Sequence, residues 1–88
     1  MNQKTVWNRL EAFKAVYDID RLQIATGLEI DTRSNASPIK KRKALIMKAI
    51  QNGMSYKRIA FHIGLSDLKD KDGSIITVTD QIRAMLTA

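Results

Sequence analysis

The chain has no cysteine, so disulfides, thiolate zinc sites and cysteine nucleophiles are all excluded and the fold must rest on packing. It has a single histidine, His62, so a histidine-based metal site would need several carboxylates, and no acidic spacing suggests one. His62 itself reads as an exposed or half-buried helix residue. The run Asp70-Lys71-Asp72-Gly73 hints at a calcium loop, but its frame sets Leu68 at the first ligand position and Thr79 at the last, which rejects calcium. Catalytic constellations are equally missing. The expectation is a chain without metal, cofactor or small-molecule substrate, and not an enzyme.

Long hydrophobic runs are absent too, and Met1 is followed by polar Asn2, Gln3 and Lys4 with no hydrophobic signal region. A cytoplasmic protein with no membrane partner is expected. Aromatic residues are sparse at 6%, and Trp7, Phe13 and Tyr17 lie apart from the basic region, which weakens a base-stacking, single-strand or RNA-binding reading. What is present is 88 residues, 44% hydrophobic and 27% charged, enough for one folded domain but with little room for a catalytic pocket beside the core.

The net charge of +6 is concentrated. Residues 1–37 balance to zero, whereas residues 38–58 hold Lys40, Lys41, Arg42, Lys43, Lys48, Lys57 and Arg58 with no acid. Residues 59–76 contribute −1 and residues 77–88 nothing, so all the excess lies in 21 residues. Such a positive surface draws polyanions, because each neutralised phosphate releases condensed counterions. An unpartnered, solvated helix face gives the same composition, so the local motif has to decide.

Punctuation and period predict about five helices. Val6, Leu10, Phe13 and Tyr17 form an apolar stripe on a first helix capped by Thr5, widened by Trp7 and Val16, and this stripe reads as core or as dimer surface. Asp18 or Asp20 caps a second, shorter helix that ends at Gly27, followed by a connector from Glu29 to Asn35. Ser37 and Pro38 open a third helix over residues 38–52, stopped by Gly53 in a left-handed conformation. Ser55 caps a fourth that carries Ile59, Ala60 and Ile63 and ends at Gly64. Thr77 and Asp80 begin a last helix reaching Leu86. Between them, Ser66 to Ile76 is irregular; Gly73 argues against a continuous helix, and Ile75 and Ile76 form a short extended piece or pack under the loop.

The run from Met54 to Ser66 resembles the first helix and turn of bacterial and phage helix-turn-helix DNA-binding regulators, with Ala60, Ile63 and Gly64 at the turn-packing positions and Leu65 and Ser66 completing the turn. Residues 44–53 resemble the supporting helix, and residues 77–83 the start of a recognition helix. The resemblance covers about residues 38–86. About ten residues separate the turn from the last helix, a spacing closer to helix-turn-helix proteins with a lengthened turn, such as the replication-initiator DNA-binding domain. The alternative, residues 67–75 as recognition helix, is disfavoured by Gly73 and by acids that phosphate repels.

The resemblance implies an all-α helix-turn-helix domain with double-stranded DNA as partner. Gln81 and Arg83 are then the base-reading candidates, paired bidentately with adenine and guanine, and Thr79 reaches a thymine methyl or a phosphate. Asp80 reads better as a cap. Lys40, Lys41, Lys43, Lys57 and Arg58, with the backbone N–H groups near Ser55, suit phosphate contacts; Tyr56 donates to phosphate or shields the core. The expected protein is a single domain, with residues 1–37 forming N-terminal helices suited to homodimerisation and residues 38–88 the DNA-binding part. Its expected function is that of a sequence-specific transcriptional regulator, a repressor, with two half-sites read by two copies. The runner-up is a protein-interaction module or inhibitor that turns the same fold against an acidic partner surface, and a third option is an RNA-binding accessory protein.

Overall fold

Between Gln3 and Thr26 no glycine or proline interrupts the chain, and a computed structural model shows one continuous helix, α1 (Gln3–Thr26). The structure describes the backbone of residues 3–30 and 37–87, and the side chains of those residues from Arg9 onward. The expected break at Asp18 or Asp20 does not occur. Asp18 is not a cap but a fully buried side chain in mid-helix, held by Arg42 and Lys14. Four helices, not five, are therefore present among the described residues.

Ser37 accepts a hydrogen bond from the Lys40 N–H (3.4 Å) and Pro38 occupies the first turn of α2 (Pro38–Gln51). Gly53, at φ 90°, then lets its own N–H reach the Ile50 carbonyl (2.9 Å) and the Met54 N–H reach Ala49 (3.0 Å). These crossed bonds satisfy the last carbonyls of the helix. Ser55 caps α3 (Tyr56–His62) through the Arg58 N–H (3.2 Å), and Gly64, at φ 74°, ends it with the same crossed pair, Gly64 to Phe61 and Leu65 to Ala60. The left-handed endings expected at Gly53 and Gly64 are both present.

The irregular stretch is a two-stranded antiparallel hairpin, β1 (Leu68–Lys69) and β2 (Ile75–Ile76), with Leu68 opposite Ile76 and Lys69 opposite Ile75. Its acids serve the turn. Asp70 accepts from the Lys71 N–H (2.7 Å) and Asp72 from the Ser74 N–H (2.9 Å). The last helix, α4 (Val78–Thr87), begins where Thr77 accepts from the Asp80 N–H (3.2 Å), while Asp67 reaches across the hairpin neck to the Val78 N–H (2.9 Å).

The core comprises Leu22 from α1, Leu45, Ile46 and Ala49 from α2, Ile59 and Ala60 with Ile63 from α3 and its cap, and Ile82 from α4. α1 packs along α2, and α3 against α4. The N-terminal helix is thus built into the same core as the rest. The core face of α1 is Ala15, Asp18 and Leu22, not the large apolar stripe: Leu10, Phe13 and Tyr17 point outward. Val6 and Trp7 lie outside the described side chains. A buried ionic link joins the elements. Arg42, 1% exposed, donates to Asp18 from Nη1 (3.1 Å) and to Glu11 from Nη2, and Lys14 bonds both Asp18 and the Ile63 carbonyl (2.7 Å) that ends α3.

Candidate nucleic-acid interface

Of the residues expected to pack the turn, Ala60 and Ile63 are buried in one cluster with Ile82 of α4, and α3 packs against α4. Gly64 is exposed, and a Cβ placed on it meets nothing within 4 Å. Glycine is required there by the backbone conformation and not by crowding. The hairpin lies between α3 and α4, and its ends are clipped together at the neck. Gln81 Nε2 donates to the Ser66 carbonyl (2.8 Å) and the Ile76 carbonyl (3.4 Å), beside the Asp67 to Val78 contact.

That clip occupies the amide of Gln81, one of the residues expected to read bases. Its amide hydrogens are engaged with backbone oxygens within the chain, and the side chain is half-buried, so it holds the hairpin base to α4. The exposed residues of α4 are Asp80, Arg83, Ala84 and Thr87, with Thr79 half-buried. Arg83 lies with its guanidinium 6.0 Å from the centre of the Tyr56 ring. Tyr56 is half-buried against the core, which it shields, and it also gives Arg83 a flat surface to rest on. Ser55 has committed its hydroxyl to the Arg58 N–H, while Lys57 and Arg58 are exposed on α3.

The basic stretch is divided between two helices. Lys40, exposed, with Lys41 and Lys43, half-buried, belongs to the first half of α2, and Lys57 and Arg58 follow its far end. Fourteen residues of helix, about 21 Å at 1.5 Å per residue, separate the ends of α2. Lys48 donates to the Glu29 carbonyl (3.0 Å). Arg42 is buried and leaves the cationic surface altogether. Its burial was legible from spacing, since Arg42 stands three, four and seven positions before Leu45, Ile46 and Ala49 on the apolar face.

Lys40 and Lys41 stand in the first turn of α2, which carries no acid. Cations at a helix N-terminus oppose the helix dipole, an arrangement that disfavours the helix by about 0.3–1 kcal/mol per charge at exposed positions. The same arrangement adds the dipole to the side-chain charge and makes that end of α2 attractive to anions.

The hairpin turn shifts the acidity of one of its own carboxyls. The Asp72 carboxyl is held below its usual range, chiefly by the hydrogen bond from the Ser74 N–H. Among the described residues no group of three or more His, Cys, Asp or Glu side chains could hold a metal ion, and no helix is long and apolar enough to cross a membrane. No family model, curated protein or solved structure matches this chain.

Proposed function

We propose that this chain binds double-stranded DNA in a sequence-specific way as a cytoplasmic, non-enzymatic transcriptional repressor, with α4 in the major groove and the start of α3 on the adjacent phosphates. The observation that carries the reading is the junction of α3 and α4. A glycine-terminated helix packs through Ala60 and Ile63 onto a second helix that exposes Arg83 over the ring of Tyr56, the residue that precedes the exposed cations Lys57 and Arg58 in α3. A helix is the right width for the major groove, and a guanidinium pairs bidentately with guanine. Lys57 and Arg58 supply charge without sequence information. The hairpin takes the place of a tight turn and, clipped by Asp67 and Gln81, holds the two helices in one relation.

Within this reading Arg83 is the chief base reader and Thr79 a secondary one, while Gln81 positions α4. Lys40, Lys41 and Lys43 contact phosphate at the opposite end of α2, on a longer or bent duplex. Repression follows from occupancy of a promoter site, and a homodimer supplies the second half-site.

Selection of bound duplexes from a random pool, followed by titration of the winner at several salt concentrations, tests the proposal. A preferred sequence is expected. The slope of log affinity against log salt should be about −0.9 for each phosphate contacted. Equal binding to all duplexes removes the sequence-specific reading, and absence of salt-dependent binding removes DNA as the partner.

A protein partner with an acidic surface is the second reading, favoured by one observation. Phe61 on α3 and Leu68 and Ile75 on the hairpin are more than half exposed, an apolar surface for which phosphate has no use.

A further inference from the structure

Five large apolar side chains of α1, Leu10, Phe13, Val16, Tyr17 and Ile24, are between 46% and 75% exposed, on the side of the helix away from Ala15, Asp18 and Leu22. At about 150–250 Å² for an aromatic side chain and somewhat less for an aliphatic one, they present roughly 500 Å². Contiguous apolar patches on monomeric proteins rarely exceed a few hundred Å². We infer that this face is a self-association surface, on which a second copy packs its own α1 antiparallel with Tyr17 near the two-fold axis.

The spacing argues for a second copy. Leu10 and Ile24 stand seven residues to either side of Tyr17, so a two-fold axis through Tyr17 sets Leu10 of one chain against Ile24 of the other, twice. Self-complementarity of this kind is what an isologous interface requires. Phe13 then falls between Tyr17 and Ile24 of the second copy, as a knob in a hole. The area agrees, since two such faces, fully covered, together remove about 1,000 Å², the least that a biological interface buries.

Direction is set by charge. Asp20 lies on the same stripe, and a parallel pair in register would bring the two Asp20 carboxylates together at the seam. The antiparallel arrangement moves them six residues apart along the axis, about 9 Å. The flanking cations are accommodated within the chain: Lys14 is 4.9 Å and Arg21 5.2 Å from the centre of the Tyr17 ring, and Lys14 is further held by Asp18 and the Ile63 carbonyl. The opposite face of α1 is the one engaged by α2 and α3, so this pairing leaves α4 and the start of α3 uncovered. Self-association does not depend on the DNA reading; its consequence, two copies on two half-sites, rests on it.

The test uses the full chain without DNA. Light scattering and sedimentation should give twice the 10.0 kDa chain mass, and Phe13→Glu should halve it while leaving helical content unchanged, because Phe13 is 75% exposed and outside the core; the variant's melting should no longer depend on protein concentration, as the parent's does. The absence of cysteine makes directed cross-linking clean. Tyr17→Cys should link to itself on mild oxidation, Leu10→Cys alone should not, and an equal mixture of Leu10→Cys and Ile24→Cys should give the mixed disulfide. A parent that stays monomeric at every accessible concentration overturns the inference, as does a dimer that Phe13→Glu leaves intact or a Leu10→Cys chain that links efficiently to itself. Duplex titration of the same proteins keeps the two ideas apart: a dimer that ignores DNA defeats the proposed function only, and a monomer that binds DNA defeats this surface only.

Discussion

Replacing Arg42 by Met separates a structural arginine from the cationic surface that surrounds it in sequence. Arg42 is 1% exposed and Asp18 fully buried, with Nη1 3.1 Å from the carboxylate, so the substitution leaves a buried acid with one partner fewer. Breaking a buried pair from one side destabilises by about 3–5 kcal/mol, because the remaining charge keeps its desolvation penalty. Lys14 still reaches Asp18, and the half-exposed Glu11 can return to water, which puts the expected loss near the lower figure, about 3 kcal/mol. A domain of this size loses about 4–8 °C in melting temperature per kcal/mol, so Tm should fall by about 12–24 °C. Urea unfolding followed by circular dichroism, with an unchanged m-value, is the direct measurement. The double variant Arg42→Met with Asp18→Leu removes both charges and should recover most of the loss. On duplex DNA the folded double variant should keep the parent's salt slope. An Arg42→Met protein that unfolds within about 0.5 kcal/mol of the parent, the range of an ordinary surface change, refutes the structural role. So does a double variant no more stable than the single, or one whose salt slope drops by the ~0.9 expected of one phosphate left unneutralised.

Gly64→Val should destabilise by about 1–2 kcal/mol through backbone strain alone, since φ is 74° and the space around its Cβ is empty; a parental melting curve would remove the turn assignment. Lys57→Ala with Arg58→Ala should weaken binding to preferred and random duplexes alike and lower the salt slope by about 0.9 for each phosphate no longer neutralised, whereas Arg83→Ala should cost about 1–3 kcal/mol on the preferred duplex and little on the random one. Gln81→Ala should speed amide exchange across the hairpin as well as weaken binding; diminished discrimination with unchanged hairpin exchange would restore Gln81 to base reading. The folded Asp72 carboxyl titrates below its ordinary range, so its contribution to the hairpin turn is present above that range and disappears as pH falls through the lowered value, which the Ser74 amide resonance should follow. A Ser74 shift that titrates at the ordinary carboxylate position would show that the bond is not formed.

Where helices begin and end was decided by residues a few positions apart. Ser37 with Lys40, Ser55 with Arg58 and Thr77 with Asp80 are caps that close within three residues, and Gly53 and Gly64 end their helices through bonds spanning five residues or fewer. Interactions of that range are written in the local string, which is why α2, α3 and α4, the glycine endings and the burial of Ala60 and Ile63 at the turn were all legible. The features that could not be read share the opposite property. Asp18 offered the local signal of a cap, and it became a mid-helix residue because Arg42, 24 positions away, supplies a partner for its buried charge. Gln81 offered the chemistry of a base reader, and the hairpin brought the carbonyl of Ser66, 15 positions away, within reach of its amide. The apolar stripe of α1 was visible as a stripe, but both sides of that helix carry apolar residues. Only the docking of α2 and α3 selected Ala15 and Leu22 for the core and left Phe13 and Tyr17 outside, because which face of a helix is covered is decided by where its neighbours pack and not by the helix's own residues.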